Sequence, residues 1–185
     1  MTLGQAFDSV FAAARAGAEW AWVELYDDLA PVVLGYLRGK GAGDAEDLTG
    51  EVFLQVVRDI GSFAGNERDF RAWTLSIAHH RLLDEARRRR RRPVDFVEGE
   101  VLAGTPSEDD VETRALAALE TGRVVEVIRS LSPDQQDVLL LRMIAGLSSE
   151  EVAHVVGKRV GAVKALQRRG LAALRKRISR QGVSL

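Results

Sequence analysis

The sequence predicts an all-α protein: two small helical domains joined by a flexible acidic linker, the C-terminal one a helix-turn-helix. Three observations carry this. Apolar residues recur at steps of three and four along most of the chain, and the β-branched residues share that spacing, so no strand candidate survives. Residues 94–112 hold seven acidic residues, no basic ones, two glycines and a proline, a composition suited to a tether rather than a core. Residues 147–178 read as a short helix, a tight turn and a longer basic helix.

Each element has its own signal. Phe7, Val10 and Phe11 share one side of a first helix, from about Gln5 to Arg15, which Gly17 breaks. A second, from about Glu19 to Arg38, carries Trp20, Trp22, Leu25, Leu29, Val33 and Leu37, with Pro31 as a kink or restart. Gly39, Gly41 and Gly43 predict a loop. Asp44 caps a third helix to about Ile60, with Leu48, Val52, Phe53, Val56, Val57 and Ile60 at helical spacing. Residues 61–69 predict a loop, and a fourth helix runs from about Phe70 into the arginine run, where Pro93 stops it. The first domain is therefore 1–93 and the linker 94–112.

The second domain spans 113–185. Its first helix runs to Ser130, and Ser132, Pro133 and Gln135 open the next with a capping box and proline at the first position. Ser148 and Glu151 make a second capping box, Leu147 and Val152 a hydrophobic staple, and Gly157 the stop. The final helix has an apolar stripe at Val160, Val163, Leu166, Gly170, Leu174 and Ile178, with Lys164, Arg168, Arg169, Arg175 and Lys176 between. In a helix-turn-helix, the second helix enters the DNA major groove. A plain helical hairpin with a solvated basic face shares these features, so the rest of the chain decides.

Composition narrows the choice. The chain has no cysteine, which removes disulfides, thiol catalysis and cysteine-held zinc. No apolar run reaches a membrane span and no signal-peptide pattern opens the sequence, so a cytoplasmic protein without membrane attachment is expected. The formal net charge is -1, so local patches rather than overall charge set the partners. No nucleophile–base set, phosphate-binding glycine loop or metal set is apparent; the expectation is a binding protein, not an enzyme, with no cofactor. His79 and His80 are adjacent and point about 100° apart on a helix, which does not make a metal site.

Four stretches then carry a resemblance, in order and over nearly the full length. Residues 44–54, Asp-Ala-Glu-Asp-Leu-Thr-Gly-Glu-Val-Phe-Leu, look like a polymerase-docking helix. Residues 70–78, Phe-Arg-Ala-Trp-Thr-Leu-Ser-Ile-Ala, followed by Arg81, resemble a promoter-melting helix. Residues 131–136, Leu-Ser-Pro-Asp-Gln-Gln, resemble the opening of a C-terminal core, and 161–164, Gly-Ala-Val-Lys, a recognition-helix start. Together they resemble the extracytoplasmic-function sigma factors of bacterial RNA polymerase. After Lys164 many members continue Ser-Arg-Leu, whereas this chain has Ala165, Leu166 and Gln167; where relatives often have asparagine or arginine in the melting helix, it has His79 and His80.

The resemblance implies an alternative sigma factor, monomeric when free, with core RNA polymerase, promoter DNA and an anti-sigma protein as partners. Its implied docking surface holds Asp44, Glu46, Asp47, Glu51, Gln55 and Arg58, although capping alone accounts for Asp44. For the downstream, minus-ten element it implies base capture by the loop bearing Asn66, Glu67 and Arg68. Trp73 has two readings, core residue and base-stacking platform. His79, His80, Arg81, Arg87 and Arg88 follow on the same helix; six consecutive arginines, 87–92, repel one another without a polyanion and suit phosphates. For the upstream, minus-thirty-five element, Lys164 and Arg168 share a face with Ala165 beside them, and arginine to guanine is the commonest base contact. Lys158, Arg159 and Arg169 fit phosphates. A conventional repressor would need a dimerisation or ligand domain, and a helical adaptor leaves the arginines unexplained.

Overall fold

A computed structural model describes residues 3–91 and 126–180, without the side chains of 90 and 178–180. The expected acidic linker, Arg92 and the start of the second domain lie outside the described residues. After a 3-10 turn, Gly4–Ala6, come α1 (Phe7–Arg15), α2 (Glu19–Lys40), α3 (Ala45–Asp59), a second 3-10 turn (Ile60–Ser62) and α4 (Glu67–Arg91). The second unit shows a helical turn at 126–129, then α5 (Pro133–Met143), α6 (Ser149–Val156) and α7 (Val160–Arg180).

Helix α2 is the strut of the first unit: α1, α3 and α4 all pack against it, and α3 packs on α4. In the second unit α5, α6 and α7 pack pairwise. The two units also touch, α5 against α2 and α6 against α4, so one apolar core runs through both. At its first-unit end, Phe7, Phe11, Phe63, Phe70 and Trp73 form a ring cluster with neighbouring centroids 5.2–5.8 Å apart. Offset and edge-on contacts at that spacing suit the aromatic quadrupole.

Three sequence expectations change. Gly39 belongs to α2, not to a loop: it is buried, and a Cβ there would lie 2.7 Å from Leu140 Cδ2 of α5. Gly35, one turn earlier, faces Ile144 in the same way. Small residues four apart thus let α5 approach the α2 backbone; Gly41, at φ 76°, then ends the helix. Pro31 lies inside α2, which runs on past it with one hydrogen bond fewer. Helix α4 begins at Glu67, earlier than expected, because Asn66 Oδ1 accepts from the N–H groups of Arg68 at 2.8 Å and Asp69 at 3.2 Å.

The seam between the units contains a buried polar cluster. Asp137 of α5 accepts from Tyr36 Oη at 2.9 Å and pairs with Lys40 Nζ at 2.8 Å. With the Tyr36 proton directed to Asp137, the phenol oxygen accepts from His79 Nδ1–H, 2.8 Å away. Lys40 also donates to the carbonyl of Pro133, and Arg129 donates to the carbonyl of Arg38 near the end of α2. A cation there satisfies a terminal carbonyl and complements the helix dipole.

Two predictions follow from this packing. Gly50, exposed in α3, has nothing within 4 Å of an added Cβ, so Gly50→Ala should stabilise by about 1 kcal/mol through helix propensity. Gly39→Ala gains the same propensity but overpacks against buried Leu140, at about 1–3 kcal/mol, so it should destabilise or at best break even. Denaturant unfolding of the two variants checks the opposite signs. The second prediction concerns pH. Burial, the largest cause, holds the pKa of His79 below its ordinary 6.5, with Asp137 pulling partly the other way and His80 and Lys40 adding to the depression. The unfolded chain therefore binds this proton first as pH falls, so the contribution of neutral His79 is complete above about 6.5 and is lost below it. Thermal melts should show a decline in Tm below that pH, shallower in His79→Gln.

Candidate functional site

The helix-turn-helix is assembled by local chemistry. Ser148 Oγ accepts from the Glu151 N–H at 3.1 Å, while Glu151 accepts from the Ser148 N–H at 2.5 Å. Gly157, at φ 64°, ends α6, and the Lys158 N–H returns to the Ala153 carbonyl. Helix α7 is seated through buried Val163, Leu166 and Leu174, and through Gly170, where a Cβ would lie 2.9 Å from Leu139 Cδ1. Lys164 and Arg168 then point outward on one face, with Ala165 half-buried beside them and Arg159 and Arg169 exposed. Lys158 pairs with Asp134 at 2.9 Å, and Lys164 lies 3.7 Å from Glu150. Both Lys164 and Glu150 are largely exposed, so that pair contributes little and releases readily.

The residues expected on the downstream surface separate. Asn66 is the α4 cap, and Glu67 Oε2 accepts from the Gly4 N–H at 3.0 Å, tying the N-terminal turn to α4. Arg68 is exposed and pairs with Glu151 of α6 at 3.3 Å. Trp73 is half-buried in the ring cluster, between Phe63 and Phe70. His79 points inward to Tyr36, so this surface does not include it, whereas His80 is exposed. Arg81 is half-buried as a bracket to α3, donating to Gln55 Oε1 at 2.7 Å and lying 3.4 Å from Glu51. Arg87 pairs with Asp84 and Arg89 with Glu85 along the helix; Arg88 is exposed.

On α3, Asp44 Oδ1 caps the helix by accepting from the Asp47 N–H at 3.0 Å. Glu46 pairs with Arg38, and that hydrogen bond holds its carboxyl pKa below the ordinary value. Asp47 and Arg58 are exposed, while Gln55 is bound between Arg81 and Asp59. Beside this acidic helix start lies a feature that sequence reasoning missed. Trp20, Val23 and Tyr26 of α2 and Leu54 and Val57 of α3 are all exposed, Leu54 and Trp20 by 58% and 57%. They flank a groove lined by Trp22, Val23, Tyr26, Phe53 and Val57, with Glu19 and Asp27 on its rim. Val57 and Trp20, part of the apolar pattern read from the sequence, face out. The available signal was the excess: Trp20, Val23 and Tyr26 are three apart, as are Leu54 and Val57, and they form a second stripe beside the core one. Contiguous exposed apolar surface with a polar rim marks an interaction site.

The comparisons with known proteins match this arrangement. Residues 25–92 match sigma-70 region 2 and residues 121–174 match sigma-70 region 4. The ECF RNA polymerase sigma factor BldN of Streptomyces coelicolor is 38% identical over 163 residues, 87% of this chain and 61% of BldN. The chain thus spans less than two thirds of that relative. SigD of Mycobacterium tuberculosis is 30% identical over 188 residues, 97% of this chain and 87% of SigD. The fold is that of the solved structure of CnrH in complex with the cytosolic domain of CnrY, with TM-score 0.69, 23% identity, and 95% of this chain and 98% of that chain covered. Among the described residues no helix is long and apolar enough to cross a membrane. With both sigma-70 regions present in order, and relatives aligned along nearly the whole length, the chain belongs to the ECF family of RNA polymerase sigma factors.

Proposed function

We propose that this sigma factor grips core RNA polymerase with the α2–α3 face, engages the downstream promoter element with α4 and reads the upstream element with α7. The observation that carries the reading is α7 itself: its apolar stripe is seated on α5 and α6, and Lys164 and Arg168 stand outward, one turn apart, at the place where a helix-turn-helix meets base edges. Exposed Arg88 and the rest of the arginine run supply sequence-independent phosphate contacts. The docking face combines exposed Asp47 and Arg58 of α3 with the apolar groove, whose lining also includes Glu19 and Asp27. The protein works as a specificity subunit in the cytoplasm rather than as a catalyst, with residues 1–93 and 113–185 as its two working units. The structure of RpoE from Bartonella quintana was solved in complex with the anti-sigma factor NepR; a partner of that class belongs to this proposal. Run-off transcription with core polymerase tests the whole reading, and no promoter-dependent transcript under any condition would overturn it.

Two predictions divide the labour. Val57→Asp and Asp47→Arg should each weaken co-elution with core polymerase without loss of helical circular dichroism, the apolar position by about 2 kcal/mol if it lies at the centre of the contact. Lys164→Ala and Arg168→Ala should reduce discrimination among upstream sequences by about 1–3 kcal/mol. Neutralising arginines 87–92 should instead weaken binding to all sequences and flatten its salt dependence. Binding assays of the holoenzyme across sequences and salt concentrations separate these outcomes.

A further inference from the structure

Residues 61–66 join α3 to α4 and end on the Asn66 cap. The tip, Ala64 to Asn66, is exposed, while Phe63 is buried. A Cβ on Gly65 would lie 2.8 Å from Asp69 Cβ and 3.0 Å from Phe63 Cζ, so the tip rests on that ring and on the first turn of α4. A short exposed connection of this kind moves on fast timescales unless it is tied down. The ties come from residues 4–15. Arg15 Nη2 donates to the Gly61 carbonyl at 2.9 Å, ahead of the tip. The Phe11 ring meets Phe63 edge-on at 5.5 Å, beneath it. The Gly4 N–H donates to Glu67 Oε2 at 3.0 Å, just past it. The match to sigma-70 region 2 begins at residue 25, so α1 and these ties lie outside it.

Core packing alone does not account for all three ties. Cover for the aromatic cluster needs only the apolar side of α1. Arg15 is exposed and adds nothing to that core. As a cation in the last turn of α1, it would complement the dipole of its own helix by staying near the α1 carbonyls. Its guanidinium instead lies 5.9 Å from the Phe11 ring centroid and reaches the carbonyl of the loop. We infer that α1 and the turn before it position the 61–66 loop for base selection, with Arg15 as the positioning residue, a role that rests on the reading of this loop as the one that captures a downstream base. Arg15 acts through Gly61: a carbonyl held at the loop entry fixes the path of the backbone toward Ala64 and Gly65. A loop fixed in advance loses no affinity to its own ordering. It also cannot shift its tip to accommodate a wrong base, which sharpens discrimination.

The test uses full-length protein assembled with core polymerase and a promoter library randomised across the downstream and the upstream elements. Arg15→Ala changes an exposed side chain, so helical circular dichroism and co-elution with core polymerase should match wild type. Preference at the captured downstream position should fall about three- to tenfold, the loss of one exposed charge-assisted hydrogen bond, with upstream preference unchanged. Arg15→Lys, which can still donate to the Gly61 carbonyl, should recover most of it. A fluorescent base analogue at that position should report weaker unstacking with Arg15→Ala than with wild type. Unchanged preference at every downstream position, an equal loss at both elements, or Arg15→Lys behaving as Arg15→Ala would each overturn the positioning role. Ala64→Glu, at the tip itself, judges the reading of the loop separately and should disturb the same downstream position. If Ala64→Glu leaves that position untouched, the loop takes no base, and the positioning role falls with it. If Ala64→Glu disturbs it and Arg15→Ala does not, the loop reading stands and the role of Arg15 alone is wrong.

Discussion

How closely α5 can approach α2 decides the form of the whole molecule. At Gly39 a single methyl group would fall 2.7 Å from the buried Leu140 side chain, so only the bare backbone admits the contact. That approach brings Asp137 within hydrogen-bond reach of Tyr36 and Lys40, and the same placement brings α6 against α4. Helix α2 meets α1, α3, α4 and α5 in turn, and its apolar residues accordingly surround much of its circumference. A helix buried on several sides carries little amphipathic signal, so its neighbours cannot be assigned from its own pattern.

Half of the aromatic residues of the first unit fix α4. Phe7 and Phe11 come from α1, Phe63 from the second 3-10 turn's exit, and Phe70 and Trp73 from α4 itself. Their cluster seats the first turns of the helix, while Arg81 holds its middle to Gln55 and Glu51 of α3. A rigid α4 is what the proposed downstream-element surface requires. The cost is that Trp73 and Arg81 serve two roles, as structural ties and as candidate contacts.

The three exposed surfaces differ in chemistry in a way that matches three kinds of partner. Helix α7 offers two cations one turn apart on one face, suited to base edges; the consecutive arginines at the end of α4 spread charge over several faces, suited to phosphates. The α2–α3 face offers apolar area with an acidic rim, suited to protein. A chain of net charge -1 can hold such surfaces together because each is local.

The amino-acid sequence by itself determined the local features: the α-helical class, the caps at Asp44 and Ser148, the stop at Gly157, the basic face of α7, and the motif order that identifies the family. Each depends on residues within a turn or two of one another, so the interaction and its signal lie in the same short stretch. The tertiary structure alone decided what depends on residues far apart. Gly39 read as a loop glycine because its reason is Leu140, about a hundred residues away; His79 read as a surface residue because its partners are Tyr36 and, beyond it, Asp137. Trp20 and Val57 belong to the apolar pattern yet face out, because periodicity reports that a face is apolar but not whether anything covers it. That last distinction is made only when the helices pack, since the area each buries is set by its neighbours and not by its own sequence.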